Sequence, residues 1–187
     1  MKTILLSIFI LLVVQTTAGQ VKHTKKTIKP RETIECIHRF NLTSEQRLKE
    51  YPFNKAVQIQ LVSFQQKDDT TEYILGSVPI KNGTLSMSRV TGLITMNNSQ
   101  IDKLTDLLFN VGLKGDTYTF SISTAVGLDG GILFIDSKNK IFESIDICFD
   151  CGEIEIRTSK VRKNIGLPCI EKMGKLKSFF IASGLKY

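Results

Sequence analysis

Two closely spaced cysteines are the residues of this sequence with the widest choice of chemistry. Cys148 and Cys151 flank a Phe-Asp dipeptide. A pair at this spacing can form a disulfide, act as a redox centre or supply half of a metal site. The chain has four cysteines in all, and the other two are Cys36 and Cys169. All four are candidates for disulfide bonds.

The surroundings of the pair disfavour a redox centre. Redox motifs of this kind lie where a strand gives way to a helix, because the helix N-terminus stabilises the thiolate. Here the segment from Glu153 to Arg157 alternates like a strand. Negative charge also disfavours a thiolate, and the nearby carboxylates are Asp146, Asp150, Glu153 and Glu155.

Zinc is a second alternative for the cysteines. A four-cysteine site would use Cys36 and Cys169 as the remaining ligands, but a strong signature shows two C-x-x-C knuckles and this chain has one. Export to an oxidising compartment favours disulfides over zinc. We therefore expect structural disulfides, and of the three possible pairings we test first a bond from Cys148 or Cys151 to Cys169. That bond would join a C-terminal helix to the sheet.

The acidic residues offer a second kind of chemistry. Paired carboxylates can hydrolyse glycosidic bonds, and the candidates are Glu143, Asp146, Asp150, Glu153 and Glu155. Their spacing along strands is more typical of an acidic, solvent-facing stripe. The histidines, His23 and His38, are isolated, and no nucleotide-binding or nucleophile-elbow motif occurs. We expect no cofactor and no catalytic residue, and an enzyme remains the less favoured reading.

The N-terminus has the layout of an export signal. A charged start is followed by an apolar run from Ile4 to Val14 and by small and polar residues. We interpret residues 1–18 as a signal peptide, because the run is shorter than the ~20 residues of a membrane span. No later run could span a membrane, so we expect a secreted or periplasmic protein. Residues 19–31 form a flexible basic arm, and residues 32–187 form a single domain.

The net charge of +7 gives little information about a partner. Many basic residues lie in the arm, which is most simply a solvated tether and alternatively a contact to an anionic surface. The predicted central hairpin is acidic and lacks a basic, aromatic platform, so we expect no nucleic acid. A protein or surface partner stays open.

The elements that position these residues follow from hydrophobic periodicity. Residues 56–64 read as a strand, and residues 131–136 and 140–149 read as a hairpin in which pairing Asp136 with Ile141 would put Cys148 opposite Asp129. A shorter strand is predicted for residues 73–78 and another for 117–123. Two separated helices and no βαβ rhythm indicate an α+β domain with a mostly antiparallel sheet, a central hairpin and about two packing helices.

The helices are marked by their caps and apolar faces. Ser44 can begin a short polar helix that Pro52 stops. A longer helix follows Asn98 and Ser99, and Gly112 is placed to end it. A C-terminal helix spans 169–183, with an apolar stripe of Ile170, Met173, Leu176, Phe179 and Phe180 and a basic face of Lys172, Lys175 and Lys177.

The strand that ends in the cysteine pair, together with Cys169 and the Phe179-Phe180 tail, resembles a group of exported proteins of Bacteroidetes-type bacteria with a C-F-x-C strand motif. Many members of that group carry a further cysteine, followed by proline and arginine, before the first hairpin strand. Residues 125–129 lack that motif here, so the resemblance implies Cys36 as a substitute partner. It implies no activity. We therefore expect a non-enzymatic binding or interaction domain stabilised by disulfides, with a hydrolase or a zinc-stabilised or redox domain as alternatives.

Overall fold

The computed structural model describes residues 36–65, 77–113, 128–149, 152–156 and 165–186. The chain divides into a unit Met1–Glu32 and a unit Thr33–Tyr187, and every described residue belongs to the second. The predicted signal peptide and basic arm therefore lie outside the described residues. So do the strand predicted for 117–123 and most of the strand predicted for 73–78.

The described ranges contain nine strands and three α-helices. The strands are β1 (Cys36–His38), β2 (Gln58–Gln65), β3 (Ile80–Lys81), β4 (Thr84–Leu85), β5 (Val90–Thr95), β6 (Val111–Leu113), β7 (Leu128–Ile135), β8 (Ile141–Cys148) and β9 (Glu153–Ile156). The helices are α1 (Ser44–Leu48), α2 (Asn98–Thr105) and α3 (Ile170–Ala182), and a π-helical turn, Asp106–Asn110, continues α2.

A five-stranded antiparallel sheet organises the domain, so the predicted α+β class is confirmed. Its strand order is β5-β2-β7-β8-β9, and β1 with β6 and β3 with β4 form two small sheets. The predicted hairpin is β7–β8, with Gly130 opposite Ile147. This is the expected register, but a bulge near the turn pairs Ile141 with Ile135 instead of Asp136.

The two faces of the sheet carry different cores, because successive side chains of a strand point to opposite faces. The larger core includes Leu61, Phe134 and Ile145, together with Leu108 of the π-helical turn and Phe180 of α3. The opposite face carries a smaller cluster of Val62, Phe64, Val78 and Leu133. The helices therefore lie over one face only among the described elements.

Capping boxes fix the starts of α1 and α2, and each cap residue lies one position earlier than expected. Thr43, not Ser44, caps α1, and its Oγ1 accepts from the Gln46 amide at 3.3 Å. Asn97 caps α2, and its Oδ1 accepts from the Gln100 amide at 2.9 Å. In each box the glutamine Oε1 also accepts a hydrogen bond from the backbone amide of the cap residue. This bond satisfies a second unpaired donor at the helix end.

The end of the α2 segment differs from the prediction. The helical part ends at Asn110, and Gly112 lies inside β6 instead of ending a helix. A Cβ built on Gly112 would lie 3.1 Å from the Gly166 Cα, so the absent side chain allows the 165–169 segment to pass close to β6. Gly112 therefore allows the backbone of β6 to pack closely against the backbone at Gly166.

Candidate functional site

The observed pairing of Cys169 differs from the pairing that the sequence favoured. Cys169 is bonded to Cys36, across a sequence separation of 133 residues and with the two Cα atoms 5.8 Å apart. Because Cys169 is bonded to Cys36, the expected bond from Cys148 or Cys151 to Cys169 is wrong. Cys148 is also in a disulfide. No cysteine among the described residues is free.

The reason for this pairing lies in the small β1–β6 sheet. Cys36 pairs with Leu113 in that sheet, and the Leu113 amide donates to the Leu167 carbonyl at 3.2 Å. Leu167 is two residues before Cys169, so two sets of backbone bonds bring the sulfur atoms together. The same bond removes Cys36 and Cys169 as thiolate ligands for zinc, which needs free thiolates.

The structure corrects the predicted solvent-facing acidic stripe in part. Glu143 and Asp146 on β8 are each only 4% exposed, whereas Glu155 on β9 is exposed and Glu153 is half-buried. Asp150 lies outside the described residues. Glu143 and Asp146 lie three residues apart on β8 and therefore point to opposite faces of the sheet, so these two cannot act as a hydrolytic pair. Glu155 lies opposite Asp146 on β9, and no group of three or more acidic, histidine or cysteine side chains in the described ranges could hold a metal ion.

Glu143 is hydrogen-bonded to a tyrosine that is not among the predicted site residues. The Tyr51 hydroxyl donates to Glu143 Oε2 at 3.3 Å, and the Ser144 amide donates to Glu143 Oε1 at 3.1 Å. Burial raises the pKa of Tyr51, and the neighbouring Glu143 carboxylate raises it further. The phenol therefore stays protonated and serves as a donor to the buried carboxylate.

Lys172 is the most unusual ionisable residue in the described part of the chain. The prediction placed it on an exposed basic face of α3, but its side chain is fully buried. Its Nζ donates to the carbonyls of Leu108 and Val111 at 2.9 Å each and to the Gly166 carbonyl at 2.6 Å. Three acceptors match the three N–H donors of an ammonium group.

A sequence signal for this burial existed. Lys172 precedes Leu176 by four residues and Phe180 by eight, so it lies on the same helical face as these core residues. Ile170 lies off that face and is 83% exposed, which corrects its place in the predicted apolar stripe. Residue type alone had suggested that Lys172 is exposed and that Ile170 is buried.

The burial of Lys172 predicts a pH dependence of stability. Burial lowers its pKa from 10.5 to about 7, so between these values the unfolded chain binds a proton that the folded chain does not. Raising the pH therefore favours the folded state, by up to about 1.4 kcal/mol per pH unit. Below pH 7 the contribution becomes constant.

Chemical denaturation of the wild type and a Lys172→Met variant from pH 7 to pH 10 tests this. Other titrating groups contribute equally to both proteins, so we expect their difference in unfolding free energy to grow with pH in favour of the wild type. A difference that stays constant over this range would contradict the prediction.

A buried arginine holds α1 against α2. Arg47 is 6% exposed, and its guanidinium donates to Thr105 Oγ1 at 3.1 Å and to the Asp102 carboxylate. It also lies 3.6 Å from the Asp106 carboxylate. These bonds fix the end of α2 and the π-helical turn, which form one side of the groove described next.

An open groove of about 780 Å³ separates α2 from α3, and we name it the α2–α3 groove. Its α3 side has small residues at four-residue spacing, Gly174, Ser178 and Ala182, and its apolar surface includes Leu107 and Phe179. A Cβ built on Gly174 meets no atom within 4 Å. The complete lining is Lys103, Asp106, Leu107, Glu171, Gly174, Lys175, Ser178, Phe179 and Ala182.

The charges on the rim of this groove are balanced. Lys103 and Asp106 lie on the α2 side, and Lys175 and Glu171 form a 2.6 Å ion pair on the α3 side. At 100° per residue, Ile170 lies close to Gly174 around the helix, as does Ile181, which is 51% exposed. The groove thus combines an apolar floor, an apolar outer edge and charges of both signs.

Comparison of the chain with protein-family models, curated proteins and solved structures gives no match. Among the described helices, none combines the length and apolar character needed to cross a bilayer.

Proposed function

We propose that this protein is an exported, non-catalytic domain that binds an amphipathic helix of a partner protein in the α2–α3 groove. The single observation that carries the proposal is the lining of the groove. An amphipathic helix lays its apolar face into a hydrophobic groove and contacts the rim with its polar flanks. Leu107 and Phe179 supply the apolar surface, and Gly174 leaves room for a close approach.

The rim charges favour this occupant over other classes of partner. A polyanion or an anionic membrane surface is attracted by a basic patch, whereas two basic and two acidic residues surround this groove. A helix with charges of both signs can pair with Lys103 and Asp106 on one side and Glu171 and Lys175 on the other. We expect these pairs to select orientation more than to add affinity.

Export is part of the proposal. Residues 1–18 supply the signal, and the Cys36–Cys169 disulfide fits an oxidising compartment. The apolar residues Ile170 and Ile181, both exposed on α3, fit a surface that a partner covers.

A peptide selection tests the groove directly. The native disulfide-bonded protein is used to select from a displayed library of helical peptides of about 20 residues, long enough for five turns. Enriched peptides are then measured against the wild type and a Gly174→Trp variant. Because the space at Gly174 is open, tryptophan can enter the groove without displacing the core, and we expect binding to weaken at least about tenfold.

A Ser137→Trp variant is the matched control. Ser137 is exposed in the β7–β8 turn and does not line the groove, so the same side chain there should leave affinity unchanged. The proposal fails if no peptide is enriched, or if enriched peptides bind both tryptophan variants as well as the wild type.

A further inference from the structure

We propose that the Cys36–Cys169 disulfide controls formation of the α2–α3 groove, so that the groove is complete only after these two cysteines are oxidised. The inference rests on the proposed function, because it assigns a control to the same site. It follows from the position of the bond at the start of α3, which supplies one wall of the groove.

The first turn of α3 depends on the two cysteines. Cys169 is the N-cap residue, and its side chain makes no capping hydrogen bond. Instead the Lys172 amide donates to Cys36 Sγ at 3.4 Å. Because the first amides of a helix need an external acceptor, a sulfur from a distant strand takes part of the role of a cap.

The strand that carries Cys36 has few bonds of its own. β1 is three residues long, and its pairing with β6 involves only those three positions. Cys36 and Ile37 are half-buried and His38 is exposed. The backbone just after β1 is also bonded to the π-helical turn, where the Arg39 amide donates to the Asn110 carbonyl at 2.7 Å. Short, poorly buried segments open with low free energy, so we expect the disulfide to be the main connection between β1 and α3.

The groove wall begins within this turn. Glu171, Gly174 and Lys175 all lie in the first six residues of α3. The side chain of Lys172 is a second connection to the domain, through its three carbonyl acceptors. Once the turn loosens, water competes for the ammonium, because hydration of a buried charge is strongly favourable. We therefore expect the first turn and its part of the groove to open together.

Closure of the bond is a thiol–disulfide exchange with a disulfide-carrying oxidant. The thiolate of Cys36, the less buried of the two, attacks the oxidant's disulfide and releases one of its thiols. The Cys169 thiolate then displaces the second thiol and forms the Cys36–Cys169 bond. Two cysteine protons are lost, two electrons pass to the oxidant, and its disulfide becomes a dithiol.

Hydrogen exchange read by mass spectrometry tests the proposal without a ligand. The full-length oxidised protein is compared with a Cys36→Ala/Cys169→Ala variant in which the other cysteines are unchanged. We expect protection of the amides of residues 170–176 to fall at least tenfold more than protection of the amides of β7 and β8, whose exchange follows the global stability of the domain. Equal protection of residues 170–176 in both proteins overturns the proposal.

A second measurement keeps the test valid if the variant unfolds globally. If β7 and β8 also lose protection, the measurement is repeated in trimethylamine N-oxide, which favours the compact state, at a concentration that restores them. Residues 170–176 must then remain at least tenfold less protected than in the wild type, and full recovery contradicts the proposal. If residues 170–176 lose protection in the variant but no peptide binds to the wild type, the control of α3 by the disulfide stands. Only the proposed binding function of the groove is then rejected.

Discussion

Replacing both Cys36 and Cys169 by alanine is expected to lower the free energy of unfolding by about 5 kcal/mol. The bond closes a loop across a separation of 133 residues, and in the chain-entropy model a cross-link of this length removes much freedom from the unfolded chain. Native domains are stable by only about 5–15 kcal/mol, so the variant should be marginal. Denaturation in guanidinium chloride at pH 7, under oxidising conditions, measures the shift.

The two single variants distinguish the bond from the side chains. Cys36→Ala and Cys169→Ala each abolish the same bond, so each should lose nearly as much stability as the double variant. Their effects should therefore be far from additive. Two small single effects that sum to the double effect would show that packing, and not the cross-link, provides the stability.

Replacing Lys172 by methionine is expected to lower the free energy of unfolding by about 2 kcal/mol at pH 7, and by more at pH 9. Methionine is similar in length but donates no hydrogen bond. The Leu108 carbonyl keeps the Gly166 amide as a donor at 3.0 Å, whereas the Val111 and Gly166 carbonyls lose the ammonium. Removing the buried charge recovers part of this loss at neutral pH, because the charge no longer has to be desolvated.

Lys175→Met is the matched control for this substitution. Lys175 lies one turn away on the same helix and is exposed, and its ion pair with Glu171 is a surface pair. Such pairs contribute little, so the control should change stability by no more than about 0.5 kcal/mol. A Lys172→Met protein as stable as the control at both pH values would rule out a structural role for the carbonyl contacts.

Local pattern was enough to predict the elements of the central hairpin. The alternating residues of β8 and the turn before it specify a strand pair whose register depends only on nearby residues, and Gly130 does lie opposite Ile147. Apolar spacing likewise located α2 and α3, because a helix needs one continuous apolar face. The caps were missed by one residue because Thr43 and Asn97 each precede another residue that can cap.

The disulfide partner of Cys169 was not predictable in the same way. A loop of about 20 residues to the Cys148–Cys151 motif is closed more easily than one of 133, so local reasoning favoured the wrong pairing. The partner was decided by β1 pairing with β6 and by the bond from Leu113 to Leu167. These contacts join segments far apart in the chain, and no local pattern encodes which of them meet.

The α+β class, the hairpin register and the positions of the main helices could be predicted from the sequence, because each depends on interactions within a few turns or across one tight turn. The cysteine pairing, the burial of Lys172 and the α2–α3 groove instead depend on contacts between distant segments of the packed domain. The acceptors of Lys172 lie 6, 61 and 64 residues away. A lysine is buried only where such distant carbonyls converge, and that convergence is a property of the packed domain.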